Sequence, residues 1–302
     1  MAIRNPQKRM KTFTQLLRVK SWVKNGFILL PLFFSFKLTD LNSVIQALLG
    51  VVVFCLTSSS VYILNDCMDA ASDALHPRKK HRPIASGKIS KKLAVFIGVL
   101  CLASAFILSY VSGLPLGFMG IFSGYFLLNL AYSFGLKQVS LIELMVVAIN
   151  FVLRVLAGCF VIGVTPSNWI LVVTFFLSFL MVSVKRKSEL QMLEKKAVEH
   201  RKVLASYSIP FLNMLVYISA TVTITAYLLY SIDPKVIDTL HTNRLIYSTL
   251  FVFLGVLRFI QISELKAYDG EGDPTTILYK DRFIQGTIAG WLVYLFVAIY
   301  VC

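Results

Sequence analysis

The segment LNDCMDAASD, Leu64 to Asp73, places one Asn and three Asp at the end of an apolar run. Wound as an α-helix at about 100° per residue, Asn65, Asp69, Asp73 and Asp66 fall at 0° and roughly 40°, 80° and 100°. One narrow face then carries an amide and three carboxylates. Three carboxylates in one place repel each other and cannot be desolvated together cheaply, so a cation must sit among them. Hard oxygen donors without His or Cys partners suit Mg2+ or Mn2+ better than zinc, and Mg2+ commonly takes one or two carboxylates, substrate phosphates and waters. A solvated acidic helix end is the plainer alternative. The spacing N-D-x-x-D-x-x-x-D argues against it, because it keeps one face at a membrane boundary, where unpaired acids are costly.

The sequence that follows is ALHPRKKHRPIASG. Pro77 halts the helix, and Arg78, Lys79, Lys80 and Arg82 come at once. Acids able to hold a metal are followed by bases able to hold phosphate oxygens, a combination that a Mg2+-bound diphosphate satisfies on both sides.

These residues need a scaffold, and composition says which kind. Of 302 residues 57% are hydrophobic and only 15% charged, well outside soluble averages, and apolar runs of about 20 residues recur from end to end. We expect an all-α integral membrane protein, a single domain over 1–302, with nine spans near 22–38, 43–64, 92–112, 114–133, 140–163, 167–184, 208–231, 245–262 and 284–302. The 112–115 turn, SGLP, is either a hairpin tip or a break within a longer segment. Residues 1–21 lack the short apolar segment and small-residue cleavage site of a removed signal peptide. Phe13, Leu16 and Leu17, at i, i+3, i+4 among Lys8, Arg9, Lys11 and Arg18, instead suit a short helix on an anionic membrane surface.

Nine spans with the N-terminus inside put 25 of the 30 Lys and Arg on one side and three, Lys37, Lys235 and Arg244, on the other. That asymmetry makes the crowded side cytoplasmic. Three segments there carry seven cations each, enough for an electropositive funnel, with attraction to anionic headgroups as the blander account. Arg154 and Arg258 remain inside apolar spans. A central Arg costs roughly 2.5–3.5 kcal/mol even on the lenient insertion scale, so Arg154 needs a partner. Asn150 lies on its face and Glu143 two turns further back. A structural ion pair is the favoured reading, with contact to a lipid phosphate as the sharper one. Arg258, nearer the cytoplasmic end, is similar, and Asp281 and Arg282 could complete a pocket wall beside the ninth span.

Several function classes drop out. The five cysteines are scattered and form no C-x-x-C pair, so buried packing thiols are expected. The four histidines form no metal constellation, and the sequence offers neither a nucleophile-base triad nor a glycine-rich phosphate loop. Aromatics do not interleave with the bases as a nucleic-acid surface requires. The net charge of +15 is better matched to phosphate-bearing small molecules and anionic lipids.

NDCMDAASD followed by HRPIASG resembles the first aspartate-rich motif and the Arg-Pro-Ile segment of the intramembrane prenyltransferase (UbiA) superfamily, nine-span enzymes that use Mg2+-bound diphosphates. The second aspartate-rich motif of that superfamily, D-x-x-x-D after the sixth span, is missing. In its place stands MVSVKRKSELQMLEKK, with Lys185, Arg186, Lys187 and Glu189 but no Asp. A basic replacement implies a ligand needing more phosphate contacts, which Arg can grip bidentately. One branch is similar throughout, the decaprenyl-phosphate 5-phosphoribosyltransferases. Its stations here are RVKSWVKN (18–25), the 65–87 segment, AYSFGLK (131–137), FVLRVLAG (151–158), FLMVSVKRKSELQ (179–191) and GDPTTILYKDR (272–282).

The resemblance implies phosphoribosyl diphosphate as donor, polyprenyl phosphate as acceptor, and a bacterial plasma membrane location with the active-site loops cytoplasmic. Asp66, Asp69 and Asp73 are the expected catalytic carboxylates and, with Asn65, the metal ligands. Lys20, Lys24, Asn25, Arg78, Lys79, Lys80, Arg82, Tyr132, Lys137, Arg154, Lys185, Arg186 and Arg258 are expected to bind substrate. On one helix Lys20 and Lys24, at i, i+4, would point to one spot, unless they snorkel to the headgroups beside Trp22. Two rivals remain. A conventional prenyltransferase acting on an aromatic acceptor predicts a second carboxylate cluster, for which Glu189, Glu194 and Glu199 are poor substitutes. A lipid or anion transporter predicts repeated halves with broken helices at the midplane. Isoprenoid length and self-association are left open.

Overall fold

The computed structural model describes residues 6–75, 79–193, 202–265 and 274–301. No strand occurs among them. The helices are α1 (Pro6–Leu16), α2 (Leu30–Phe34), α3 (Leu41–Met68), α4 (Ala70–Leu75), α5 (Lys91–Val111), α6 (Leu116–Phe134), α7 (Ile142–Val161) and α8 (Asn168–Leu193). They continue as α9 (Ile209–Ile232), α10 (Pro234–Leu240), α11 (Thr249–Leu265), α12 (Pro274–Lys280) and α13 (Arg282–Phe296). Among the described residues eight segments are helical, long and apolar enough to cross a membrane, and they match eight of the nine expected spans.

The ninth, expected over 22–38, takes another form. It is a 3-10 helix, Val19–Leu29, running into α2. Eleven residues at about 2.0 Å and five at about 1.5 Å still reach roughly 30 Å, the hydrocarbon thickness of a bilayer. Three residues per turn bring every third residue to one side, and Asn25 and Ile28 are fully buried while Val23 is 59% exposed. The i, i+4 pair Lys20 and Lys24 is then about 120° apart instead of aligned, which corrects the expected convergence.

The SGLP turn is a hairpin tip. Gly113 takes a left-handed φ of 64° and the amide of Leu114 bonds back to the Ser109 carbonyl at 3.0 Å, a helix stop that favours glycine.

By contact the chain forms two compact units, each discontinuous in sequence. The first contains residues 1–32, 40–137 and 153–164. Its main core gathers Val53, Phe54, Phe118, Phe122, Tyr125 and Val161, and a smaller cluster gathers Leu16, Ile63, Ala70, Ile84 and Ala94. Here α3 packs on α5, α6 and the 3-10 helix. Small polar residues let that last contact close: Ser59 Oγ donates to the Leu17 carbonyl at 2.9 Å and accepts from the Trp22 indole at 3.0 Å. The second unit, 33–39, 138–152 and 165–302, is built on α8 against α9, and on α11 against α9 and α13.

Two helices outrun the bilayer. At about 1.5 Å per residue α3, with 28 residues, is roughly 42 Å long and α8, with 26, roughly 39 Å. Both exceed a hydrocarbon layer about 30 Å thick, and their C-terminal turns, with Asn65 and Asp66 and with Lys185 to Glu189, are the polar ends suited to lie at its edge.

In the first unit, a methyl on Gly158 of α7 would overlap the backbone carbonyl of Ile28, whereas one on Gly124 of α6 would meet nothing within 4 Å. Gly158→Ala is expected to lower stability by about 1–3 kcal/mol through overpacking, and Gly124→Ala to leave it unchanged or slightly higher. Thermal unfolding of the two variants in detergent distinguishes them.

Candidate functional site

The acidic motif lies at the C-terminal end of α3 and in α4. The helix is interrupted at Asp69 (φ −87°, ψ 3°), yet the amide of Asp69 still bonds to the Asn65 carbonyl at 2.9 Å and that of Asp73 to the Asp69 carbonyl at 2.8 Å. The helical spacing of the four side chains survives a bend that the continuous-helix reading does not contain. Asp66 and Asp73 are each 3% exposed, while the Asp69 side chain is 28% exposed.

Each carboxylate meets a cation. Arg82 Nη1 donates to Asp66 Oδ1 at 3.0 Å and to Asp73 Oδ2 at 2.6 Å. Arg18 Nη2 donates to the same Asp66 oxygen, and its guanidinium lies 4.8 Å from the centre of the Tyr62 ring, a cation-π distance. Lys137 Nζ donates to Asp69 Oδ1 at 2.5 Å. Ser133 on α6 donates to the Asn65 amide oxygen at 3.3 Å.

The two arginines are placed from behind by apolar anchors. Leu16 and Ile84 are both buried in the cluster with Ile63, Ala70 and Ala94. Arg18 follows Leu16 by two residues and takes a left-handed backbone (φ 50°, ψ 45°), a conformation that costs roughly 1–2 kcal/mol outside glycine. Arg82 precedes Ile84 by two. Its loop is tied by Ser86 N to the Arg82 carbonyl at 2.9 Å and Ile89 N to the Pro83 carbonyl at 3.1 Å. Arg18 is absent from the residues expected from sequence, since its partner is 48 positions away. Ser133 and Tyr62 also carry no sequence signal for this role.

Deeper in the same unit, Arg154 is 3% exposed. Its Nε donates to Asn25 Oδ1 at 2.9 Å and its Nη2 to the Tyr125 hydroxyl at 3.0 Å, with the guanidinium 4.8 Å from the Tyr125 ring centre. Asn25 in turn donates to Ser58 Oγ and Cys55 Sγ at 3.3 Å. Gly158, one turn after Arg154, lets the 3-10 helix approach closely enough for the Asn25 bond. The expected ion pair along α7 is out of reach: Glu143 lies eleven residues, about 16 Å, from Arg154.

In the second unit Glu143 grips Arg186 instead. Arg186 Nε and Nη2 donate to the two Glu143 oxygens at 2.7 and 2.9 Å, and Nη1 donates to Glu189 at 2.7 Å. Glu143 is fully buried and Arg186 3% exposed. Lys187, equally buried, pairs with Glu264 of α11. Tyr207 accepts from the amide of Leu141 at 2.8 Å, where the backbone is left-handed (φ 64°) just before α7. Burial raises its phenol, which stays neutral. The basic segment that replaces a second aspartate motif is therefore partly neutralised by glutamates from three helices. Arg258 is committed to Asp281 at 2.9 Å and to Gln261 at 2.9 Å. That Arg258 hydrogen bond holds the Asp281 carboxyl below the usual carboxylate range, so its contribution is present at neutral pH and fades only as pH falls through the lowered value.

Of the remaining expected residues, Lys20 and Lys80 are exposed, Lys24, Lys79 and Tyr132 are half-buried, and Lys185 lies on α8 between Val184 and Arg186. Arg78 lies outside the described residues.

Comparison with known proteins gives this geometry a family. The chain is 29% identical over 301 residues to the decaprenyl-phosphate phosphoribosyltransferase of Corynebacterium glutamicum, covering 99% of this chain and 90% of that one. It is 30% identical over 286 residues to the protein of the same name from Mycobacterium tuberculosis, covering 91% and 90%. A UbiA homolog from Archaeoglobus fulgidus bound to GPP and Mg2+ superposes with a TM-score of 0.72 at 19% identity, over 96% of this chain and 100% of that one. The profile of the UbiA prenyltransferase family matches residues 28–284. With most of its length inside that match, the chain belongs to the UbiA prenyltransferase family and is an integral membrane transferase.

Proposed function

We propose that the protein transfers the 5-phosphoribosyl group of phosphoribosyl diphosphate to a polyprenyl phosphate, releasing diphosphate, at the cytoplasmic face of the membrane. The observation that carries the donor and acceptor is the similarity, over nearly the whole chain, to relatives named decaprenyl-phosphate phosphoribosyltransferase. Among residues 179–193 there is no Asp, which supports a donor other than a simple prenyl diphosphate.

A divalent metal, Mg2+ or Mn2+, fits the acidic motif. One nitrogen, Arg82 Nη1, lies within 3.0 Å of oxygens from both Asp66 and Asp73, so the two carboxylates converge on one point already filled by positive charge. Among the described residues no three acids, imidazoles or thiols are gathered tightly enough to hold an ion as they stand. Two converging carboxylates suffice where substrate phosphates and waters complete the shell. Asp66 and Asp73 would be the primary ligands, with Asp69 and Asn65 completing the set. The metal, when bound, neutralises charge developing on the diphosphate leaving group.

The chain's own residues do the rest. Arg82 and Lys137 hold phosphate oxygens, the arginine bidentately, while Arg18 stays beside Asp66. Once seated on the diphosphate, these cations stabilise the departing charge as the bond from C1 of ribose lengthens, with no further rearrangement. The acceptor's phosphate oxygen is anionic at pH 7 and attacks the oxocarbenium-like C1 without a strong general base. Because the buried Asp66 and Asp73 would hold the metal, the more exposed Asp69 is the carboxylate with freedom to turn toward the ribose once Lys137 moves to phosphate. Arg154, with Asn25 and Tyr125, forms a buried polar station suited to phosphate deeper in the membrane.

Purified protein supplied with Mg2+, labelled phosphoribosyl diphosphate and polyprenyl phosphate is expected to yield labelled lipid, and chelation with EDTA to abolish it. Asp66→Asn is expected to lower the rate by about 100-fold or more; transfer at the wild-type rate by this variant, or without divalent metal, refutes the site. In competition, unlabelled phosphoribosyl diphosphate should suppress labelling while geranyl diphosphate at equal concentration does not. Prenylation of an aromatic acceptor by geranyl diphosphate would favour a conventional prenyltransferase instead.

A further inference from the structure

Among the described residues, every carboxylate of the acidic motif is paired with a cation before any ligand arrives. Three carboxylates, on Asp66, Asp69 and Asp73, face three cations, on Arg18, Arg82 and Lys137. A divalent ion approaching alone therefore meets carboxylates already paired with cations, and it must displace a cation to reach the oxygens. The three cations are not equally displaceable. Arg18 is stacked on Tyr62 and held by the buried Leu16. Exposure does not separate the three, whose side chains are 22%, 26% and 18% exposed for Arg18, Arg82 and Lys137; the Tyr62 ring beneath Arg18 does.

Arg82 cannot simply swing away. Asp66 and Asp73 have side chains only 4% and 5% exposed, and removing Arg82 leaves Asp73 a buried carboxylate without its arginine, which is unfavourable. The departing guanidinium, for its part, needs a new anion. A metal-bound diphosphate supplies both at once: the metal takes the carboxylates and the phosphate oxygens take the arginine and the lysine.

We propose that Arg82 and Lys137 are exchangeable counter-ions that keep the acidic motif closed and make metal and diphosphate bind as a coupled pair, each weakly without the other. This rests on the metal-diphosphate reading of the site given above. The exchange makes the protein selective for a donor whose leaving group is itself metal-bound, and it keeps the buried carboxylates paired between turnovers. Coupling of this kind is reciprocal, so whatever diphosphate does for the metal the metal does for diphosphate.

The test uses the full-length protein in detergent, with free Mn2+ read by electron paramagnetic resonance and inorganic diphosphate as the anion. Arg82→Gln is expected to bind Mn2+ alone about ten-fold more tightly than wild type, and to bind diphosphate at saturating Mn2+ about ten-fold more weakly. Lys137→Gln should shift both in the same directions by less, and it serves if the first variant does not fold. A merely structural role for Arg82 would weaken both affinities together. If neither variant tightens Mn2+ while diphosphate still promotes Mn2+ binding to wild type, the exchange is wrong and the metal-diphosphate site stands. If wild type takes up no Mn2+ with or without diphosphate, the reading beneath it fails as well.

Discussion

Two buried carboxylates sharing one guanidinium nitrogen impose the constraint around which the first unit is arranged. Asp66 and Asp73 sit where α3 leaves the hydrocarbon, and neither can stay charged there alone. A cation has to be delivered to the same spot by some other segment, and the chain delivers it twice. Leu16 and Ile84 sink into one apolar cluster beneath the motif, and the residues two places away, Arg18 and Arg82, arrive over the acids. Hydrophobic burial thus does the positioning and electrostatics the pairing, which is why the loop after α4 carries an isoleucine in its middle.

The same logic recurs further along the chain with the signs reversed. Arg186 and Lys187 are cations at the end of a long helix, and glutamates from α7, α8 and α11 come to meet them. The left-handed residue before α7, Leu141, is held by the Tyr207 hydroxyl, which fixes where α7 starts and so where Glu143 stands. Two cations of a largely basic segment, Arg186 and Lys187, are thus held in ion pairs once the chain is folded. Gripping phosphate with Arg186 would require releasing glutamates, as it does with Arg82 and aspartates.

Much of this was legible in the sequence because it depends on local spacing. The apolar runs locate eight membrane helices to within about four residues at every end but the C-terminus of α8, and N-D-x-x-D-x-x-x-D indicates which side chains share a face. Hydropathy stops short where polar residues begin, so the windows end at 64 and 184 although α3 and α8 continue to Met68 and Leu193. Those hidden turns are the ones that carry Asn65, Asp66, Lys185 and Arg186. The rest was not legible because it joins distant positions. Arg18 reads as one more cation in a basic N-terminal segment until its αL backbone and its distant partner are seen. Propensity does not separate a 3-10 from an α-helix, so the periodicity of Trp22, Asn25 and Ile28 was missed, and with it the orientation of Lys20 and Lys24. Arg154 was rightly expected to need a partner, but the partners came from the 3-10 helix and from α6, where Tyr125 stands amid apolar neighbours.

The most direct measurement is the structure of the protein with Mn2+ and inorganic diphosphate, the metal located by its anomalous scattering. The account predicts a metal peak within roughly 2.0–2.2 Å of oxygens from Asp66 and Asp73, a distance set by small divalent ions, with Arg82 turned onto a phosphate oxygen. A metal bound away from both carboxylates, with Arg82 still bridging them, would contradict it.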